Sequence, residues 1–367
     1  MSQTEHEAAR LTVRLGALQA NYREIAARSG KAIVAPVVKA DAYGTGMVAA
    51  ARALAGAGAD TFFVARIEEG MGLRKALPRA RIFVLDGLMP GTVPVYRANN
   101  LIPVLNSLEE LAEWSAAARD AHAILDAAIQ VDTGMNRSGL SQADTNTLAA
   151  ETDKRLSGIK LALVLGHLAC SDDPNDARNR AQLERFRAVL ASLPQAPASL
   201  AASGGIGLGK DYVFDMVRPG LALYGGNPQP ALPNPYRVVA VLTARVLQVR
   251  RVDTGDTVGY GATFTAGNPL KLVTVSLGYA DGLSRALAGR GQAALGGARM
   301  KFAGRISMDL AVLDATAVPD SACRRGAEVE FFGDTISLEE VADAAGTISY
   351  EILTGIAPRV PRVYVEG

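Results

Sequence analysis

The sequence has little of what an exported, membrane-bound or metal-dependent protein needs. Cysteine occurs twice in 367 residues, as Cys170 and Cys323. Two cysteines so far apart make neither a disulfide framework nor a thiolate cluster, and a reducing compartment is expected. Histidine occurs three times, as His6, His122 and His167, so a zinc site would run short of ligands. Neither sign of charge is in excess, since 38 basic side chains face 37 acidic ones. Nucleic acids and anionic membranes select a clustered basic surplus, so neither is an expected partner. The longest stretch without charge, 188–209, carries Pro194, Gln195, Pro197 and four glycines, which excludes a membrane span of about 20 apolar residues. The N-terminal MSQTEHEAAR is polar and acidic, where a secretion signal is basic and then apolar. A soluble, cytoplasmic protein acting on a small molecule is the expectation.

What is plentiful is apolar. Hydrophobic residues make up 49% of the chain and charged residues 20%, the latter below the roughly 25% of an ordinary soluble protein. A large interior follows, and the length suits about two domains. Eight short apolar runs fill the first two-thirds: Ile33 to Val38, Thr61 to Ala65, Ile82 to Leu85, Ile102 to Leu105, Ala127 to Val131, Leu161 to Leu165, Ser199 to Ala202 and Met216 to Leu223. Helical stretches such as Met47 to Leu54, Ser107 to Arg119 and Asp176 to Leu193 separate them. Ser107 followed by Glu110 carries the spacing of a capping box. Strands alternating with helices predict a (β/α)8 barrel, of which a doubly wound sheet is the sequence-level alternative.

After about Asn227 the pattern changes. The segment from Asn227 to Arg237 is rich in proline and reads as a linker. Beyond it Val238 to Val252, Thr257 to Thr265, Lys271 to Leu277, Arg299 to Arg305, Asp309 to Asp314 and Glu328 to Phe332 predict strands punctuated by Asp-Gly, Gly-Asp and Gly-Asn pairs, with little helix. The expected organisation is a barrel over 1–230 and a mainly β domain over 231–367.

Polar groups gather at the ends of the predicted barrel strands, where barrels build their sites. Lys39 follows Val37-Val38, and Tyr43, Gly44 and Gly46 follow Lys39 just before a helix, where free backbone N–H groups suit a phosphate. Gly44 to Ala49 also matches GxGxxA, but five residues part its first glycine from the strand, which weighs against a dinucleotide fingerprint. Gly204 to Lys210 imitates a phosphate loop, but Asp211 stands where a magnesium-binding hydroxyl belongs. Arg137, His167, Ser203 and Arg218 each follow a different predicted strand. Any one of them alone is an ordinary loop or core residue. Together with Lys39 at one barrel mouth they suit a phosphorylated aromatic cofactor that a lysine can hold covalently.

The segments VVKADAYG, VDTGMNRSGL, GHLACSDD, DMVRPGLALYG, VGYGATF, GYADG, GRISMDL and PRVPRVY resemble, in order and spacing, those of the alanine racemases, which pair a barrel with a C-terminal β domain. The resemblance implies pyridoxal 5'-phosphate as cofactor and a racemase that supplies D-alanine for peptidoglycan or serves alanine catabolism. It implies that Lys39 carries the cofactor and acts as the base toward the D-enantiomer. Tyr260 would be the opposing base for the L-enantiomer, reaching the site from the other subunit of a homodimer. Arg137 would meet the cofactor phenolate and the substrate carboxylate, and Met308 would offer that carboxylate its backbone N–H. Arg218 would face the pyridine nitrogen, with His167 bonded to it and packed under the ring. Tyr43, Ser203, Gly220 and Leu221 would bind the phosphate. Asp172, Tyr279, Arg285, Arg305 and Asp309 match residues lining the substrate passage.

The chain also departs from the family pattern. Gln130 replaces a lysine, often carbamylated, that positions the arginine matched by Arg137. Ala202 replaces an asparagine, Pro358 a phosphate-bonding tyrosine and Thr45 a histidine. The alternatives are a racemase of serine or lysine, a barrel-type decarboxylase and a barrel that only binds the cofactor. A decarboxylase wants an acid where Arg218 stands, and a barrel alone lacks the domain that carries Tyr260.

Overall fold

Eight short parallel strands close on themselves in the first two-thirds of the chain. The computed structural model describes residues 7–366. His6 and the first six residues of the N-terminal decapeptide lie outside them. Strand β1 (Ala9–Arg14) comes first, and the barrel strands follow: β2 (Ile33–Val34), β3 (Thr61–Val64), β4 (Arg81–Val84), β5 (Ile102–Leu105), β6 (Leu125–Gln130), β7 (Ile159–Leu165), β8 (Ala198–Ser199) and β9 (Met216–Val217). Strands β3 to β8 lie side by side in order, and β2 pairs with β9. Single bridges, Val37 with Phe63 and Ala202 with Arg218, join the two sets and complete the ring. Thr61–Val64 and Ile102–Leu105 are buried along their whole length. Helices cover their outer faces while side chains fill the barrel, which is why these runs are continuously apolar.

The intervening helices include Met47–Gly56, Ile67–Ala76, Leu108–Asp120 and Ala177–Ser192. Ser107 caps the third of these by accepting from Glu110 N at 3.2 Å. The reciprocal half of the box is not made, because the Glu110 carboxylate accepts from Asn106 N and Leu88 N instead. Three predicted runs overshoot their strands. β2, β8 and β9 stop at Val34, Ser199 and Val217 because the backbone then bends into the barrel-mouth loops.

The second unit is built on β10 (Ala240–Val252), followed by β11 (Thr257–Val258), β12 (Phe264–Thr265), β13 (Leu270–Val275), β14 (Gln292–Leu295), β15 (Ala298–Lys301), β16 (Ala311–Asp314), β17 (Glu328–Phe332) and β18 (Arg362–Val365). β10 pairs with β13 and β17, and also with β1, which therefore belongs to this sheet although it opens the chain. β18 lies parallel to β1 on the other side. Two helices, Leu338–Ala345 and Ser349–Thr354, also lie here, where the sequence suggested little helix. The proline-rich segment is no free linker. Asn227 and Gln229 are buried, Gln229 Nε2 donates to the carbonyls of Ser171 and Gly204, and Glu339 accepts from Asn227 N. Among the described residues no helix is long and apolar enough to cross a membrane.

Candidate active site

Lys39 stands five residues beyond the end of β2, after Val38 N has donated to Phe63 O on β3. The next four residues, Ala40 to Tyr43, all have left-handed backbone, with φ between 52° and 56°. None is glycine, and each such residue costs about 1–2 kcal/mol, so the turn persists only because its surroundings impose it. Glu69 is the main restraint. One carboxylate oxygen accepts from Ala40 N at 2.6 Å, and the other from Ala65 N and Arg66 N at the end of β3. Thr45 Oγ1 donates to Ala42 O, and Arg362 Nε on β18 donates to Gly44 O at 2.9 Å. Tyr43 stacks on Tyr224 at 4.7 Å, and the Tyr224 hydroxyl donates to Val37 O. Burial lowers the Lys39 pKa; Arg137 and Arg218 lower it further, while Asp86 and Glu69 act against them.

The glycines after Tyr43 do not form the expected anion site. Met47 N at the start of the helix is taken by Asp41 Oδ1 at 2.7 Å, and a Cβ on Gly46 would run into the Tyr364 hydroxyl. That helix end is capped from within the chain. A polar cradle lies instead between the ends of β8 and β9. Ser203 Oγ accepts from Gly220 N at 3.0 Å and Ala222 N at 3.3 Å. The Tyr43 hydroxyl faces Gly220 so closely that any Cβ there would collide with it. Leu221 opens a short 3₁₀ turn, Leu221–Tyr224, beside them.

Arg218 forms the base of the mouth and is 4% exposed. Its guanidinium donates to Ser199 O at 2.9 Å, Ser199 Oγ at 2.5 Å and Gly166 O at 2.7 Å, and it has no carboxylate partner. Burial lowers its pKa to about 10, so it stays charged at neutral pH. His167 Nδ1 lies 3.4 Å from Arg218 Nη2. Arginine can only donate, so Nδ1 must accept and the proton sits on Nε2. Burial, with Arg218, Arg137 and Lys39 nearby, drops the His167 pKa to about 3. The imidazole is therefore neutral.

Arg137 is exposed on the loop after β6, which Asp132 shapes by accepting from the N–H groups of Gly134, Met135 and Asn136. Gln130 gives its amide to Ser138, not to Arg137, and Arg137 has no hydrogen bond among the described residues. Burial raises the pKa of the Tyr350 phenol and nearby Asp172 adds to it, and the Tyr350 ring lies 6.0 Å from that of Tyr43. Asp172 thus joins the barrel-mouth set.

The other residues singled out form a second group on the β domain. Tyr260 occupies the turn between β11 and β12 and is 72% exposed; Met308 is 54% exposed. Gly261, next to Tyr260, lies against the Arg305 guanidinium. Tyr279 N donates to Ser307 O, and Arg285 lies over the Tyr279 ring. Asp309 accepts from Arg359, which also binds Asp281. No side-chain hydrogen bond or ion pair among the described residues links this group to Lys39. Sequence reasoning missed Glu69, Ser199, Tyr224, Tyr350 and Arg362. Glu69 had a usable signal, standing three residues after Arg66 in the capping-box position of a helix that follows a strand. The others act through distant backbone or rings and leave no local pattern.

The family profile for "Alanine racemase, N-terminal domain" matches residues 13–228, and that for "Alanine racemase, C-terminal domain" matches 239–364. The chain is 49% identical to "Alanine racemase" of Methylobacterium nodulans, covering 100% of this chain and 99% of the relative. It is 47% identical to "Alanine racemase, catabolic" of Agrobacterium fabrum, covering 97% and 92%. A crystal structure of alanine racemase from Bartonella henselae with covalently bound pyridoxal phosphate superposes with a TM-score of 0.94 at 39% identity, covering 98% of this chain and 99% of that one.

Proposed function

This chain belongs to the alanine racemase family, and from that premise we propose that it interconverts L-alanine and D-alanine with pyridoxal 5'-phosphate. The observation that carries the proposal is the barrel mouth itself, where a lysine of lowered pKa shares one opening with a polar cradle and a buried, permanently charged arginine. These residues fit the cofactor. Lys39 would hold its aldehyde carbon, and Tyr43, Ser203, Gly220 and Leu221 its phosphate, in a cradle that a Cβ at Gly220 would fill. Arg218 would meet the ring nitrogen, His167 the ring face and Arg137 the phenolate. When bound, the cofactor draws electron density from the amino acid's Cα and so acidifies its proton.

The chain's own groups then have to move that proton. Racemisation removes it from one face and returns it to the other, so two acid–base groups must stand on opposite sides of a planar carbon. Lys39 Nζ serves one face, and its lowered pKa brings the neutral, proton-accepting amine within reach of neutral pH. Tyr260 Oη serves the other. Arg218 keeps its own proton near neutral pH, so it donates a hydrogen bond and takes no part in proton shuttling. Arg137 and the Met308 backbone hold the substrate carboxylate, and Asp172, Tyr279, Arg285, Arg305 and Asp309 line the passage. A decarboxylase is disfavoured because Arg218 stands where such an enzyme would need an acid at the ring nitrogen.

The exposure of Tyr260 and Met308 supports a homodimer in which Tyr260 acts at the site holding the Lys39 of a second copy. The proposed setting is the cytoplasm, in keeping with two free cysteines, and the proposed units are the barrel over 1–230, except β1, which joins the second sheet, and the β domain over 231–367. The test is direct. The purified protein should show a pyridoxal absorption band that borohydride traps on Lys39, and L-alanine should lose its circular dichroism in its presence. A colourless protein that leaves L-alanine optically active would refute the assignment.

A further inference from the structure

At the opposite end of the barrel, strands β4, β5 and β6 begin at Arg81, Ile102 and Leu125, and a cavity of about 460 Å³ opens among their starts. That volume lies within the range of small-molecule sites. Its floor is apolar and aromatic, with Trp114, Tyr96, Leu101 and Ile102, and arginines crowd its rim. Arg74 is already committed, its guanidinium bonded to the carbonyls of Asn99, Pro78, Ala80 and Asn100. Arg79 and Arg97 also line the cavity, yet neither has a side-chain hydrogen bond or ion pair among the described residues. Arg81 lies over the Phe83 ring and 4.0 Å from Asp126. Asp126 is the one carboxylate in the lining and is shared with Lys160 at 3.8 Å.

Composition does not account for this concentration of charge, because the chain as a whole carries 38 basic and 37 acidic groups. A second observation is independent of charge. Trp114 lines the cavity and is 2% exposed, and its indole N–H has no acceptor. Buried donors are normally paired, and leaving one unmade costs stability.

We propose that this cavity binds a phosphomonoester with an aromatic or aliphatic body. Arg79, Arg81 and Arg97 supply more charge than one carboxylate ligand neutralises and match a dianion, to which guanidinium groups bond through paired N–H donors. The body of the ligand covers Leu101, Ile102 and the Trp114 ring. Because the cavity lies at the N-terminal ends of the strands, its ligand does not compete with anything held at the Lys39 mouth.

Trp114 is the only tryptophan of the chain, so its fluorescence reports on the cavity directly. The experiment titrates the cofactor-loaded enzyme with phenyl phosphate, inorganic phosphate and benzyl alcohol. Phenyl phosphate should give a saturable change, inorganic phosphate should bind at least about tenfold more weakly, and benzyl alcohol should not saturate. The double variant Arg79→Ala/Arg97→Ala should weaken phenyl phosphate at least about tenfold. Both side chains are exposed and unpaired, so the variant should fold and its racemisation kcat and KM should be unchanged. The proposal is overturned by no saturable signal, by equal binding of phenyl phosphate to the double variant, or by benzyl alcohol binding as well as phenyl phosphate. Inorganic phosphate binding as tightly as phenyl phosphate would overturn the role given to the apolar floor.

Discussion

At the barrel mouth Arg218 is 4% exposed and bonded to Ser199 and Gly166, whereas on the β domain Tyr260 is 72% and Met308 54% exposed. One set of residues is held in place by its own chain. The other lies open to solvent. Both terminal nitrogens of the buried Arg218 guanidinium are directed at fixed acceptors, so this side chain is held before any ligand arrives. An exposed phenol on a turn with φ of 79° and 73° at its flanking glycines is positioned by backbone, not by packing. In the proposed homodimer, the difference puts the subunit contact on the tyrosine side.

The sharpest way to break this comparison is to separate the two bases. Lys39→Ala and Tyr260→Phe should each lower kcat/KM about 10³-fold or more. Mixing the two inactive proteins should recover up to a quarter of wild-type activity, because random pairing gives half heterodimers and one of their two sites has both bases. No recovery after demonstrated subunit exchange would place both bases in one chain. Next comes the cradle. Gly220→Ala drives a methyl against the Tyr43 hydroxyl, so pyridoxal phosphate should bind the apoenzyme at least about tenfold more weakly in a spectrophotometric titration. Unchanged affinity would remove Gly220 and Tyr43 from the phosphate site.

Glu69→Gln tests the restraint on the lysine turn. The carboxylate accepts three N–H groups and an amide has one acceptor oxygen, so the variant should lose about 1–3 kcal/mol in urea unfolding. The pH dependence of kcat should shift as well, since Glu69 raises the Lys39 pKa. A stability loss with an unmoved pH profile would reduce Glu69 to a structural cap. The smallest effect concerns His167, which titrates at about 3 when folded against 6.5 in a free chain. Between those values the unfolded state binds the extra proton, so stability falls as pH drops through this window. At pH 5.5 the loss relative to pH 7.5 is about 1 kcal/mol. His167→Asn should flatten that part of the Tm curve, and parallel curves for the two proteins would show that His167 contributes nothing to it.

The barrel was legible because its strands are buried on both faces and read as unbroken apolar runs, such as Thr61–Val64. β14 (Gln292–Leu295) escaped notice because its alanines carry little strand preference. The helix Ser349–Thr354 is a short piece that exists by packing and carries no side-chain cap. In the site, Lys39, Arg218 and His167 could be singled out because chemistry-bearing residues followed strands. Glu69, Tyr350 and Arg362 act across 29, 307 and 318 residues on Ala40, Tyr43 and Gly44, and nothing local marks such partners. The expectation of an anion at Gly44 to Gly46 failed because pattern reading could not see Asp41 occupying Met47 N.

The bond from Arg362 to the Gly44 carbonyl also orders events in time. The turn that fixes Lys39 depends on a strand made 318 residues later. During synthesis a ribosome-bound chain can assemble all eight barrel strands and every residue of the mouth while the lysine turn still lacks this clamp. Loop closure over so long a span is slow compared with forming neighbouring βα units, so the turn at Lys39 is completed last. A nascent barrel therefore carries an unclamped lysine turn until β18 docks beside β1 in the second sheet.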